Sequence, residues 1–197
     1  MASSRGVHLI EGDLFRTPHS IVHCISADCW LRKGVAKEIR TRFGGIRGLM
    51  AQHCGVGQVG VTRMPHGPQG QPRYVFHLVT KKHYWERPTM HDLEVSLRSL
   101  KLLLWHMKIR DVSGPWLGTG LDRLERGPVW NLLCRIFNNT GIMFTIHTLD
   151  VVWNTWVKHV CHRIPINTQD TNNVAKSSFE GRWRGITGGT WKFYIKW

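Results

Sequence analysis

An apolar segment from Asp111 to Leu117 runs directly into Gly118-Thr119-Gly120, which delivers Asp122 before a helical stripe begins near Pro128. A strand that ends in a Gly-x-Gly turn and re-enters as a helix is a building unit of α/β sheets. The two glycines lack the Cβ that would keep a ligand off the backbone, and they allow positive φ. Successive N–H groups in such a turn form a nest for phosphate oxygens, and the helix that follows adds its dipole. A carboxylate at the rim of an anion pocket is out of place unless it has chemical work there. The same turn is also an ordinary strand-to-helix connection, so its meaning depends on what the rest of the chain brings to it.

The remaining periodicities extend this unit. Val7–Ile10 has the pattern of a short strand ending in Glu11-Gly12-Asp13-Leu14-Phe15, and Ser20–Ser26 that of a second, ending in Ala27-Asp28. From Gly34, residues Val35, Ala36, Ile39 and Phe43 share a helical face that Gly44-Gly45 stops, and Ile46–Cys54 continues as a short helix. Gln58–Met64 alternates as a strand, residues 65–72 form a Pro/Gly loop, and Arg73–Thr80 is a buried strand with Lys81-Lys82-His83 at its end. Thr89 caps the clearest helix, whose stripe is Leu93, Leu97, Leu100, Leu104 and Met107. Val129, Leu132, Leu133, Ile136 and Phe137 mark another, and Met143–Leu149 is a last strand. The order β-β-α-β-β-α-β-α-β predicts an α/β fold with a mixed sheet covered by helices on both faces. Ligands of open α/β sheets bind beyond the carboxyl ends of strands. Asp13, Ser26, Lys81 and Asp122 all fall at such ends or just past them.

With 197 residues the chain has room for one such domain and an appendage. The composition changes after Asp150, which divides the chain into a domain at 1–150 and an extension at 151–197. The extension carries five of the ten tryptophans and seven Lys/Arg against two acids, with a polar linker at Asn167–Ser178. It is a Trp-and-Arg surface that stacks on bases or adenines of a polyanion, or else a poorly ordered segment or a strand packing its aromatics on the domain; Trp183, Trp191 and Trp197 follow no binding-module pattern, which favours the latter two. The net charge of +14 favours polyanions such as nucleic acid or poly(ADP-ribose), without choosing between them. Five cysteines without CxxC spacing argue against a disulfide framework or structural zinc and for a reducing compartment. His159 and His162, with Cys161 between them, lack a second pair of ligands at metal-site spacing. No apolar run approaches membrane-spanning length, which leads to the expectation of a nuclear or cytosolic protein that does not engage membranes.

Taken together, Glu11–Phe15, His23–Cys29, Phe43–Gly45, Leu78–Lys82 and Leu117–Leu124 resemble the macrodomains, and most closely their terminal ADP-ribose protein glycohydrolase branch. The similarity spans about Val7 to Leu149. A lysine after the Leu78–Lys82 strand, combined with an aspartate after the Gly-x-Gly loop, separates this branch from other macrodomains. The resemblance implies a three-layer α/β/α macro fold with a mixed central sheet, followed here by a basic, Trp-rich C-terminal extension. It also implies a monomer that binds ADP-ribose in a cleft over the sheet and needs no cofactor. By the same resemblance, Asp13 reads the adenine with Leu14 beside it. Ser26 and Gly34 belong to the first ligand loop. Trp116, Leu117, Gly118, Thr119, Gly120 and Leu121 surround the phosphates and distal ribose, and Leu149 is a further contact. Lys81 matches the nucleophile that forms an adduct with the distal ribose, and Asp122 matches the acid/base. One departure stands out: Leu31-Arg32-Lys33 precede Gly34, where the family has small, Gly-rich residues, so these cations either clamp the pyrophosphate or crowd it.

Each of these residues also has an ordinary explanation. Lys81-Lys82 is in an arbitrary protein a pair of surface lysines, Asp122 a helix-flanking acid paired with Arg123 or Arg126, Asp13 a turn cap, and Ser26 a turn hydroxyl. A lysine nucleophile needs its free amine, a form that desolvation and the neighbouring cation Lys82 both favour. Three functions remain in competition. The first is a glycohydrolase that removes mono-ADP-ribose, or a terminal ADP-ribose, from Glu or Asp side chains of modified proteins and deacylates O-acyl-ADP-ribose. The second is a non-catalytic reader of ADP-ribose or its polymer. The third is a basic nucleic-acid-binding accessory protein that uses the macro fold as a scaffold.

Overall fold

The computed structural model describes residues 6–149, 179–184 and 190–195. Six strands form one sheet: β1 (Val7–Glu11), β2 (Ser20–Ser26), β3 (Val59–Met64), β4 (Arg73–Lys81), β5 (Asp111–Gly114) and β6 (Met143–Thr148). Their order is β1-β6-β5-β2-β4-β3, with every pairing parallel except β3 with β4. The mixed sheet expected from the sequence is therefore present. Because β2, β4, β5 and β6 run parallel, whatever follows Ser26, Lys81, Gly114 and Thr148 emerges at one end of the sheet.

Four helices cover it: α1 (Gly34–Phe43), α2 (Ile46–Met50), α3 (Met90–His106) and α4 (Arg126–Phe137). Ile39 of α1 packs with Ile21 and Val75, and Leu49 of α2 packs with Ile25 and Val79, so these two helices cover one face. The pleat turns Val22, Phe76 and Leu78 to the other face, where they are fully buried. There α3 packs on β4 and on α4. The Leu93, Leu97, Leu100 and Leu104 stripe is buried as its spacing predicts. Thr89 and Asp92 form a complete capping box at the start of α3, each side chain accepting from the other's backbone N–H. None of the described helices is long and apolar enough to cross a membrane.

Four boundaries differ from the sequence reading. β5 ends at Gly114 rather than Leu117. Pro115 has no N–H to extend the ladder, and a Cβ at Gly114 would lie 2.9 Å from the Val22 carbonyl oxygen. The short helix after Gly45 spans only Ile46–Met50, and α4 starts at Arg126, which puts Pro128 in the first turn, where no intrahelical donor is lost. Met107 caps α3 instead of continuing it.

Backbone contacts separate two compact units, Met1–Thr155 and Trp156–Trp197. In the second, β7 (Phe179–Arg184) pairs antiparallel with β8 (Thr190–Ile195). The linker at Asn167–Ser178 and the His159–His162 cluster lie outside the described residues.

The interior also holds a polar chain. His23 and His77 oppose each other on β2 and β4, with Nε2 of His23 2.7 Å from Nδ1 of His77, and Nε2 of His77 2.9 Å from the Thr62 hydroxyl. Burial takes the His23 imidazole down to about 3 and, together with His23 itself, holds His77 well below its ordinary value. Both are neutral in the folded protein at pH 7, whereas in the unfolded chain they titrate near 6.5. As pH falls below about 6.5 the unfolded state takes up protons that the folded state refuses, so stability falls. Chemical denaturation between pH 7 and 4.5 should show a loss of about 1.4 kcal/mol per pH unit for each histidine, and His23→Gln should remove one such contribution. An unchanged pH profile in that variant would contradict this assignment.

Candidate active site

The strand ends enclose a cavity of about 940 Å³ at the carboxyl edge of the sheet. Of the residues singled out in the sequence, Ser26, Gly34, Lys81, residues 116–121, Asp122 and Leu149 line it. Asp13 and Leu14 do not. Leu14 is buried in the core with Ile21 and Ile39, and Asp13 caps the short 3-10 turn Leu14–Arg16 by accepting from the Phe15 N–H at 2.9 Å. Asp13 lies close enough to His147, a lining residue, that its carboxylate is part of that imidazole's electrostatic surroundings. Burial is the main cause of the lowered pKa of His147.

Lys81 is the last residue of β4, and its Nζ donates to Oδ1 of Asp122 at 2.5 Å. The two side chains are only 13% and 14% exposed. Asp122 thus makes a contact across 41 residues of sequence. The loop geometry explains why. Leu124 N–H closes on the Gly118 carbonyl at 2.9 Å and Arg123 N–H on that of Gly120 at 3.2 Å, which holds Asp122 at the apex of a tight double turn. Gly118 takes φ +68°, and a Cβ there would sit 2.7 Å from Leu124 Cδ1. Gly120 has no positive φ, and its role is openness: nothing lies within 4 Å of where its Cβ would be. Opposite, the backbone of Gly34 faces Leu121, whose Cδ1 lies 3.8 Å from the position of an added Cβ. The loop before α1 and the Gly-x-Gly loop therefore face each other as two walls of the cavity.

The residues before Gly34 divide their roles. Leu31, at φ +29°, turns inward and is 4% exposed against Ile25, Leu49 and Val79, so apolar burial offsets a backbone conformation unusual for leucine. Arg32 and Lys33 remain exposed on the cavity wall. Ser26 donates its hydroxyl proton to Asp28 at 2.5 Å, while Asp28 also accepts from the Trp30 and Tyr84 N–H groups. Ser26 thus keeps its oxygen lone pairs, but not its proton, for a ligand. Cys24 also lines the cavity, and burial, then the charge of Asp122, pushes its thiol up to about 12. A thiol held protonated in this way is a poor nucleophile.

The sequence reading passed over Asp28, His147 and the segment His83–Arg87, of which Tyr84, Trp85, Glu86 and Arg87 line the mouth. Only the adjacency of Tyr84-Trp85 to the lysine pair signalled them in the sequence.

No protein-family profile matches the chain. A direct relative does: the ADP-ribose glycohydrolase OARD1 of Bos taurus is 36% identical over 142 residues, covering 71% of this chain and 90% of the relative. The chain belongs to the macrodomain family, in its ADP-ribose glycohydrolase branch. Solved macrodomains share its fold. That of Thermus aquaticus DarG superposes with a TM-score of 0.64 at 23% identity, covering 72% of this chain and 97% of the other. Thermosipho africanus DarTG in complex with ADP-ribose gives 0.64 at 20% identity, covering 73% of this macrodomain's chain and 42% of the other.

Proposed function

We propose that this macrodomain is a hydrolase that removes mono-ADP-ribose, or a terminal ADP-ribose, from glutamate and aspartate side chains and deacylates O-acyl-ADP-ribose. The observation that carries this reading is the direct contact between Lys81 and Asp122 beneath the Gly-x-Gly loop. It unites a nucleophile with a proton acceptor where the distal ribose of ADP-ribose would end. Relatives named as ADP-ribose glycohydrolases support the same class of reaction.

In the proposed reaction Lys81 passes a proton to Asp122, and its free amine attacks the anomeric carbon of the distal ribose. The bond from that carbon to the ester oxygen breaks, and the glutamate or aspartate carboxylate departs with the electron pair. A C–N bond now joins Lys81 to the sugar. Water then adds to the same carbon as the C–N bond breaks, the lysine nitrogen takes back the proton held by Asp122, the surplus proton of the water passes to solvent, and ADP-ribose is released. The departing carboxylate is a good leaving group because it is a weak base. The backbone N–H groups around Gly118 and Gly120 provide the phosphate contacts.

Incubation with a glutamate-linked mono-ADP-ribosylated protein should release ADP-ribose, as followed by mass spectrometry. Tight binding of ADP-ribose without any release from that substrate would instead make the protein a reader.

A further inference from the structure

The mouth of the cavity carries a cluster of rings that the proposed hydrolysis does not use. Trp30 and Tyr84 stack at 4.1 Å with planes 12° apart, and His83 and Trp85 stack at 4.6 Å with planes 4° apart. Tyr84 meets Trp85 edge-on at 4.9 Å, which joins the two stacks into one array. Such clusters normally bury their outer faces, yet Tyr84 is 43% and Trp85 65% exposed. The array is held in place by its backbone. Asp28 accepts from the Tyr84 N–H, and Glu86 accepts from the N–H groups of Lys82 and His83. The same bonds engage the nearby carboxylates, while Arg32, Lys33, Lys82 and Arg87 remain exposed around the rings. Lys33 lies over Trp30, 5.8 Å from the ring centroid.

A flat, exposed aromatic surface ringed by cations matches one kind of polymer better than others. Single-stranded nucleic acid has both a π-face for the indole and a phosphate every nucleotide for the cations. An acidic peptide satisfies the cations alone, and a duplex hides its base faces. We infer that the rim formed by residues 30–33 and 82–87 is a docking surface for single-stranded nucleic acid, with a base stacked on Trp85 and flanking phosphates on Arg32, Lys33 and Arg87. Stacking and phosphate contacts do not read the sugar, so DNA and RNA both fit. The surface is independent of the chemistry proposed for Lys81.

Fluorescence anisotropy with a labelled ten-nucleotide single-stranded DNA of mixed sequence, on the full chain, tests this. Trp85→Ala should weaken binding roughly 5- to 150-fold, the loss of one base–aromatic stack, whereas Trp85→Phe should retain most of the affinity. Arg32→Gln with Arg87→Gln should flatten the dependence of affinity on salt by roughly two phosphate contacts. Thermal unfolding of Trp85→Ala followed by circular dichroism should match the wild type, which shows that the variant is folded. Lys81→Ala should bind the oligonucleotide normally, so loss of catalysis and loss of docking are separable. Equal oligonucleotide affinity in wild type and Trp85→Ala would overturn the inference and put any binding elsewhere on the basic chain. A glutamate-rich peptide that competes at the rim more strongly than the oligonucleotide would overturn it in favour of a protein partner.

Discussion

Lys81→Ala should abolish release of ADP-ribose from glutamate-linked substrate, by roughly 10³-fold or more, while ADP-ribose binding changes little. Removal of a covalent nucleophile deletes a bond made only on the way to the transition state, so it acts on kcat rather than on ground-state affinity. Lys81 sits at the end of β4, where its backbone is tied to the segment after β2: Ala27 N–H donates to the Lys81 carbonyl at 2.9 Å. Truncating its side chain leaves that tie and both walls of the cavity intact. One consequence separates chemistry from charge. Lys81→Arg keeps the cation beside Asp122 but has no free amine to offer, so it should be as inactive as the alanine variant. Kinetics with matched calorimetry decide the matter. Normal turnover in Lys81→Ala would remove the covalent route and leave attack by water assisted by Asp122.

Asp122→Ala should give the opposite signature, slow turnover with the enzyme caught part-way. Without the carboxylate the amine loses the acceptor 2.5 Å away, and the adduct loses the acid that protonates its departing nitrogen. A positioned general acid–base contributes roughly 10²–10⁴-fold, so kcat should fall by that range. If attack survives better than breakdown, intact-mass spectrometry after incubation with substrate should find added ADP-ribose mass mapping to Lys81. Asp122→Asn is the stricter test, because it preserves size and hydrogen bonding but cannot accept the proton. Wild-type turnover in Asp122→Asn would exclude the proposed acid–base role.

Several features of this site were legible before any fold was known, and particular residues show why. The Gly118-Thr119-Gly120 turn is local: glycine at the φ +68° position and the closing bonds to Leu124 and Arg123 all lie within seven residues. The α3 stripe and its Thr89 cap are local too, since helical periodicity and capping involve neighbours three or four apart. The rim was not legible. Trp30 and Tyr84 are 54 residues apart, and only the parallel pairing of β2 with β4 brings them into a stack. Taken as sequence, Leu31-Arg32-Lys33 left open whether the cations crowd the pocket. The inward turn of Leu31 takes that apolar side chain into the core and leaves Arg32 and Lys33 exposed while still lining the cavity.

The order of residues alone determined the α/β class, most element positions and the candidates Lys81 and Asp122, because hydrophobic period, turn chemistry and strand ends are properties of short segments. Tertiary structure decided which candidates meet. Strand order β5-β2-β4 brings the end of β4 and the loop after β5 to opposite sides of β2, and the Lys81 side chain spans that gap to reach Asp122. The same packing sent Leu14 into the core, left Asp13 as a cap beside His147, and raised the Cys24 thiol out of reactivity. Those outcomes depend on burial and on distances between segments far apart in the chain, which no local pattern encodes.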